Sequence, residues 1–456
     1  MKRPFFFKQL LLLSGDIAIF YMALFLGLYI RYGAAFDLKI FNAHLLPFSL
    51  LYLVWLVIFY IDGLYDITVA KNNLAFLRLF FESMIINALV AAGFFYLVPI
   101  FGIAPKTNLF IILITTIVLF YFWRNLYNQL MPSIAIKNSI LFIEGGAEAR
   151  EIAGILKRRP ELGFGVVAFY ESKSAENSFI DLPILHDLES LKKILSEQSV
   201  DTVVLPMELR REDGVVGFLY SNLFKKFRFL DLVSFYELIV RRIPLSVINE
   251  AWFLHNLQES DKKLYDKIKI ILDYFLGLIL FIGLSFVVVP VAAAVKLDDK
   301  GPVFYSQKRI GRGGKEFRMY KFRTMKTDAE KDGAQFAKDG DSRVTRVGKF
   351  LRKTRIDELP QIINVLKNEM SFVGPRPEQP EFVEELKTAM PFYDIRHIIK
   401  PGLTGWAQIN FYYAATIEEN LKKLQYDLFY IKNRSLILDG IILLKTLNII
   451  LKFRGR

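Results

Sequence analysis

The sequence predicts a multi-domain membrane protein: an N-terminal four-helix transmembrane bundle, a Rossmann-like α/β middle domain, and a C-terminal α+β domain that opens on one more apolar segment. Three observations lead there. Apolar runs near the length needed to cross a hydrocarbon layer of roughly 30 Å cluster at the start. From Ser139 onward, short apolar runs alternate with charged helical stretches. Beyond residue 300, glycine-rich turns and cations surround a pair of adjacent carboxylates.

The 456 residues leave room for three units, each with its own core, and a hydrophobic content of 53% is high for a soluble protein. Residues 8–30, 45–62, 79–101 and 108–126 read as spans, which sets the membrane region at 1–130. Lys2, Arg3 and Lys8 precede the first span, Lys71 and Arg78 lie between the second and third, and Arg124 and Lys137 follow the fourth. By the positive-inside rule these face the cytoplasm. Arg31, Lys39 and Lys106 in the opposite connections make the bias moderate. No small-residue cleavage site follows the basic leader, so a removable signal peptide is not expected. Asp16 and Glu82 sit within or at the edge of spans, where charge is costly; a snorkelling or paired carboxylate is the expected reading.

The middle domain is set at 137–255. Ile140–Ile143, Gly165–Phe169 and Asp201–Leu205 read as strands, and 147–158 and 188–197 as helices, a pattern of parallel strands with crossovers. The turn Glu144-Gly145-Gly146 sits where a dinucleotide fold places its phosphate loop. It lacks G-x-G-x-x-G spacing, and Glu144 and Glu148 would repel a pyrophosphate. The third domain is set at 262–456, with an apolar segment at about 271–295 containing Pro290. A simple span there would put everything after it on the far side of the membrane. Proline breaks helices, so a segment that enters and leaves on one face remains open.

Composition narrows the chemistry. No cysteine occurs, which excludes thiolate catalysis, disulfides and cysteine metal sites, and the four histidines are too scattered for a zinc cluster. The net charge of +13 suits nucleic acid, anionic lipid or a phosphorylated substrate; membrane segments favour the last two, so nucleic acid is not an expected partner.

The most informative stretch is Arg355-Ile356-Asp357-Glu358-Leu359-Pro360. An Asp-Glu pair alone is ordinary at a helix start. Here cations flank it. Lys308, Arg309 and Arg312 in a glycine-rich turn, then Lys321 and Arg323 on one side of a strand, can line a phosphate site; a hairpin with a solvated basic tip is the plainer alternative for the first group. Arg343 to Lys353 carries cations at helical spacing suited to lipid head groups. Asp357 can cap the helix that follows and aim its N-terminus at an anion. The pair can hold Mg²⁺, with one carboxylate attacking phosphorus while the other binds the metal.

At these motifs the chain closely resembles the bacterial polyprenyl-phosphate glycosyl-1-phosphate transferases, the monotopic phosphoglycosyltransferase superfamily. The resemblance covers 262–456: the apolar segment, Gln307 to Gly311, Lys321 to Met325, Asp357 to Gln361, Ser371 to Pro377 and Pro401 to Gln408, in that order. The leading spans and degenerate nucleotide fold look like the long-form members. The resemblance implies that Asp357 attacks the β-phosphate of a UDP-sugar and holds the sugar phosphate covalently until undecaprenyl phosphate takes it. It implies Mg²⁺ or Mn²⁺ at Glu358, a phosphate clamp at Arg376 beside Arg355, and a nucleotide end formed by the loop carrying Thr404 and Gln408. The product would start exopolysaccharide, O-antigen or capsule assembly at the bacterial inner membrane, with the catalytic domain cytosolic.

One departure is that the family's mid-membrane Ser-Pro break is replaced by Ser285-Phe286, with proline only at Pro290. A re-entrant helix is still expected, with a displaced bend. A homodimer is compatible with the sequence. Two rival readings are a membrane-tethered nucleotide-sugar oxidoreductase or epimerase and a non-enzymatic scaffold. The defective glycine loop weighs against the first, the intact Asp357-Glu358 pair against the second.

Overall fold

A computed structural model describes residues 6–65, 74–98, 101, 105–134, 138–172, 182–197, 200–206, 214–222, 227–257, 259–327, 343–411 and 416–451. Lys2, Arg3, Lys71 and Lys137, used above for orientation, lie outside the described residues. The chain divides into two compact units, Met1–Leu238 and Ile239–Arg456.

The first unit opens with four long apolar helices, α1 (Phe6–Tyr32), α2 (Leu38–Asp62), α3 (Leu74–Leu97) and α4 (Pro105–Ile134). α1 touches α2 and α4, and α3 touches α2 and α4. Their shared interior is aromatic: Phe20, Tyr52, Trp55, Phe59, Phe80 and Phe120 are buried, with the Phe80 and Phe120 rings stacked 4.1 Å apart. Leu53, Ile85, Leu89 and Phe122 point outward and are exposed, as a lipid-facing surface requires. Gly15 lets α1 approach α4, since a Cβ there would stand 1.9 Å from the Trp123 ring.

Charge inside this apolar group is paired. Asp16 Oδ2 accepts from Arg124 Nη2 at 2.7 Å, Asp16 Oδ1 accepts from Trp123 Nε1 at 3.0 Å, and neither ion reaches solvent. The Arg124 guanidinium also lies 4.6 Å from the Phe120 ring centroid. Arg124 is therefore not the loop charge that the hydropathy pattern suggested. Arg124 lies within α4, where Asp16 neutralises its charge. Glu82 pairs with Arg78 one turn earlier at 2.9 Å on an exposed face.

The same unit holds a parallel sheet in the order β3-β2-β1-β4-β5. Along the chain it runs β1 (Asn138–Ile143), α5 (Gly146–Arg158), β2 (Phe164–Tyr170), β3 (Ile184–Leu185), α6 (Leu188–Glu197), β4 (Thr202–Leu205), α7 (Val215–Ser221), β5 (Arg228–Asp231) and α8 (Leu232–Val240). The central strands supply the buried core, with Ile140–Ile143 of β1, Ala168–Tyr170 of β2 and Thr202–Val204 of β4 buried, while the edge strands β3 and β5 are only partly covered. At the phosphate-loop position the turn is engaged internally. Glu144 adopts φ 50°, and its carboxylate accepts from Ser172 N at 2.6 Å at the end of β2.

The second unit begins at Ile239, so residues 239–255, which sequence division placed in the middle domain, fall in the same compact unit as the third. Ile243 N donates to Gln425 O at 3.2 Å, Trp406 Nε1 donates to Arg241 O at 3.1 Å, and Lys432 Nζ lies 4.8 Å from the Trp252 ring centroid on α9 (Glu250–Asn256). Next comes α10 (Lys263–Asp298), one helix through both Ser285 and Pro290. The expected break is not an interruption of the helix.

One stripe of α10, comprising Asp273, Gly277, Leu284, Val291 and Val295, is buried against its own unit. Asp273 Oδ1 accepts from Phe372 N at 3.2 Å. Gly277 meets Leu366, where a Cβ would stand 3.1 Å from Cδ2. Leu284, Val291 and Val295 cluster with Phe322 and Leu351, and Asp298 Oδ2 accepts from Val347 N at 2.8 Å. The opposite stripe, Phe275, Leu278, Ile282, Phe286 and Val289, is exposed and wholly apolar.

After α10 come an antiparallel hairpin, β6 (Phe304–Ile310) and β7 (Glu316–Phe322), then α11 (Arg346–Thr354), capped by Thr345, whose Oγ1 accepts from Gly348 N at 3.0 Å. A 3-10 turn (Ile356–Gln361) leads into α12 (Ile362–Leu366) and β8 (Ser371–Val373). There follow α13 (Pro380–Ala389), β9 (Gly402–Thr404), α14 (Trp406–Asn410), α15 (Ile417–Asn433) and α16 (Leu436–Leu451). β8 and β9 pair in parallel, Ser371 with Gly402 and Val373 with Thr404.

Candidate active site

Arg355 ends α11 in the left-handed conformation, φ 60°, which costs a non-glycine residue about 1–2 kcal/mol. That reversal starts the 3-10 turn carrying Asp357 and Glu358. Asp357 was expected to cap a helix. It lies instead inside the tight turn and makes no capping bond, because the reversal at Arg355 and Pro360 tighten the chain before α12 begins. α12 has only five residues, so the anion-directed helix N-terminus expected from the sequence does not form. Asn364, wholly buried, ties this turn to β7: its Nδ2 donates to Arg318 O at 2.7 Å and its Oδ1 accepts from Tyr320 N at 3.1 Å.

Both carboxylates are buried, with 8% and 9% of Asp357 and Glu358 exposed, but their surroundings differ. Asp357 Oδ1 has no hydrogen-bond partner. Its pKa is pushed above the usual carboxylate range, first by burial and second by the Glu358 charge. Glu358 Oε1 accepts from Arg376 Nη2 at 2.6 Å and lies 3.4 Å from Lys321 Nζ and 3.8 Å from Arg355 Nη1. Burial opposes its ionisation, but Arg376, Lys321 and Arg355 outweigh that and hold its pKa well below the usual range. Two adjacent carboxyl groups are thereby made unlike: one charge-neutralised by cations, the other desolvated, with one oxygen lacking a hydrogen-bond partner.

Of the residues singled out from sequence, Lys321, Arg355 and Arg376 converge on this pair. Arg309 sits beside them and is bound elsewhere: its Nη1 donates to Pro377 O at 3.2 Å and lies 3.6 Å from Glu378 Oε2. Lys308, one position earlier, faces the other side of the hairpin and pairs with Glu316 at 2.9 Å, largely in solvent. Arg323 also lies elsewhere. β7 ends at Phe322, so Arg323 does not share the side of Lys321, and its Nη2 donates to Asp299 O at 2.6 Å.

Thr404 backs the loop that carries Arg376 through its carbonyl, while the Gln408 side chain bonds within its own loop. Thr404 O accepts from Gly374 N at 2.9 Å, while Thr404 and Thr446 join hydroxyls at 2.7 Å. Gln408 Nε2 donates to Leu403 O at 3.1 Å, and its Oε1 is buried without a partner. The loop after β8 approaches β9 so closely that a Cβ on Gly402 would stand 2.0 Å from Gly374 N. Sequence reasoning missed Asn364, Glu378, Arg396, Lys423 and Asp427. Only Glu378, two residues past Arg376, carried a local signal.

Among the described residues no group of three or more potential side-chain ligands forms a metal cage. The Asp357-Glu358 pair nevertheless fits Mg²⁺ or Mn²⁺. Such ions commonly take one or two carboxylates and complete their shell with water and substrate phosphates, and Asp357 Oδ1 is buried with no partner of its own.

A buried carboxylate without a hydrogen-bond partner beside a cation-lined one, on a chain with five helices apolar enough to cross a membrane among the described residues, defines a candidate site on a membrane protein. The family model for bacterial sugar transferases matches residues 264–453, and one described as a CoA-binding domain matches 60–223. A protein of Aeromonas hydrophila named UDP-N-acetylgalactosamine-undecaprenyl-phosphate N-acetylgalactosaminephosphotransferase is 54% identical over 35% of this chain and 38% of its own length. A Klebsiella pneumoniae protein named UDP-glucose:undecaprenyl-phosphate glucose-1-phosphate transferase is 29% identical over 92% of this chain and 90% of its own. An uncharacterized sugar transferase of Haemophilus influenzae is 31% identical over 69% of each chain. The chain thus spans little more than a third of the Aeromonas relative's length but most of the Klebsiella one. It belongs to the bacterial sugar transferases, the polyprenyl-phosphate glycosyl-1-phosphate transferase family indicated by its motif order.

Proposed function

We propose that this enzyme transfers a sugar 1-phosphate from a UDP-sugar to undecaprenyl phosphate and so begins lipid-linked polysaccharide synthesis at the bacterial inner membrane. The observation that carries the reading is the unpartnered, buried Asp357 Oδ1 next to the cation-held Glu358, inside the family-matched region. In the first step Asp357 attacks the β-phosphorus, and the bond to the α–β bridging oxygen breaks with its electrons leaving on UMP. In the second, a phosphate oxygen of the lipid attacks the same phosphorus, releasing Asp357 and forming a polyprenyl diphosphate sugar. Lys321, Arg355 and Arg376 neutralise the phosphoryl oxygens that an anionic nucleophile must approach. When bound at Glu358, Mg²⁺ or Mn²⁺ would supply further charge neutralisation at the diphosphate. Radiolabelled transfer to undecaprenyl phosphate from a panel of UDP-sugars tests the reading; no labelled lipid from any donor counts against it.

The four leading helices form a transmembrane bundle in this reading, and α10 enters and leaves the membrane on the cytosolic side. The support is that a straight α10 would measure about 54 Å, well beyond a hydrocarbon core, yet its early and late residues dock on one compact unit. A cysteine at exposed Lys300 in this cysteine-free chain reports the answer. Gly301 is unsuitable because a Cβ there would stand 1.6 Å from the Arg323 guanidinium. Lys300→Cys should react with an impermeant maleimide in inverted vesicles and stay unlabelled in intact spheroplasts. Labelling in spheroplasts would make α10 a true span.

A further inference from the structure

We infer that Lys423 and Asp427, one turn apart on α15, are positioning residues for Arg376, holding its loop from two points. The inference rests on the reaction proposed above. Residues four apart share a helix face, and here that face holds Glu378 and Arg396. Asp427 Oδ2 accepts from Arg396 Nη2 at 2.9 Å, and both side chains are almost wholly buried. The same Nη2 donates to Arg376 O at 2.8 Å, while Nη1 donates to Tyr393 Oη at 2.6 Å. Asp427 therefore acts on the backbone of Arg376 itself.

The second point lies two residues on. Lys423 pairs with Glu378, whose carboxylate also lies 3.6 Å from Arg309 Nη1 and whose carbonyl accepts from Ile310 N at 2.9 Å. Pro375 and Pro377 fix φ on either side of Arg376, so a loop gripped at 376 and 378 has little freedom left. What that rigidity directs is the Arg376 guanidinium, 2.6 Å from Glu358 Oε1 beside the Asp357 carboxylate. Buried ion pairs contribute little net stability compared with apolar residues of the same volume. Two of them gripping a loop that carries a phosphate-binding cation are accounted for by geometry at that cation.

The test is a double-mutant cycle in the full chain, read as UMP release from the UDP-sugar that the wild type uses. Asp427→Asn and Lys423→Met should each lower the rate by up to about 10²-fold, the loss typical of a reacting group displaced by about an ångström. In an Arg376→Lys background, where the positioned fork is already absent, the same changes should cost no more than about twofold. A general loss of folding would be additive, so equal losses in both backgrounds, or none in the native background, overturn the clamp. Lys423→Arg, which keeps the charge, should retain most activity, and Lys423→Met decides the matter if Asp427→Asn fails to fold. The wild type assayed alongside separates the two failures. No transfer by wild type counts against the reaction, and additive losses in an active enzyme count against the clamp.

Discussion

Asp357→Asn should abolish sugar-phosphate transfer, by at least about 10⁴-fold, while the protein still inserts and unfolds like the wild type. The amide is nearly isosteric but cannot form an acyl phosphate. The fold should tolerate it because Asp357 Oδ1 has no hydrogen-bond partner to lose, and removing a buried charge relieves the desolvation that raises its pKa. Incubation with a β-labelled UDP-sugar and no lipid acceptor should leave label on the wild-type chain and none on the variant. Substantial turnover by purified Asp357→Asn would remove the nucleophile from this position.

Glu358→Gln should be nearly as severe and should fail differently. Its carboxylate is where Arg376, Lys321 and Arg355 meet, so the neutral amide leaves three cations facing one another. Removing one partner of a fully buried pair typically costs about 3–5 kcal/mol; with 29% of the Arg376 side chain exposed, about 2 kcal/mol is expected here. Activity should fall by roughly 10²–10³-fold as the cations lose their alignment on the phosphates. Thermal unfolding in EDTA distinguishes this from a purely metal-binding role. A midpoint equal to the wild type's without divalent metal would mean that Glu358 does not anchor the cations.

The difference between these variants was legible in sequence only as an adjacent Asp and Glu. Which of the two is free and which is held depends on Arg376, Lys321 and Arg355, brought in by a loop, a strand and a helix end. The motif order and the residue types picked out the Asp357-Glu358 pair and the cations around it as candidates. They did not separate Lys308 and Arg323, which have the right chemistry but point away, from Lys321, which points in.

What the sequence determined by itself was whatever is encoded over a few residues or a few turns. The apolar runs became α1 to α4 and α10, and the alternation after Ser139 became the parallel sheet, because hydrophobic periodicity specifies which face of an element is buried. The Asp357-Glu358 turn and the Gly374-Pro375-Arg376-Pro377 loop were equally visible as motifs. Only the tertiary structure decided which charges meet. Asp16 with Arg124, Asp427 with Arg396 and Glu378 with Lys423 are pairs widely separated in sequence. With 59 lysines and arginines and 46 aspartates and glutamates, local patterning cannot select among so many combinations. Burial selects them, since a charge taken out of water must find its partner within a few ångströms, and the fold alone sets those distances.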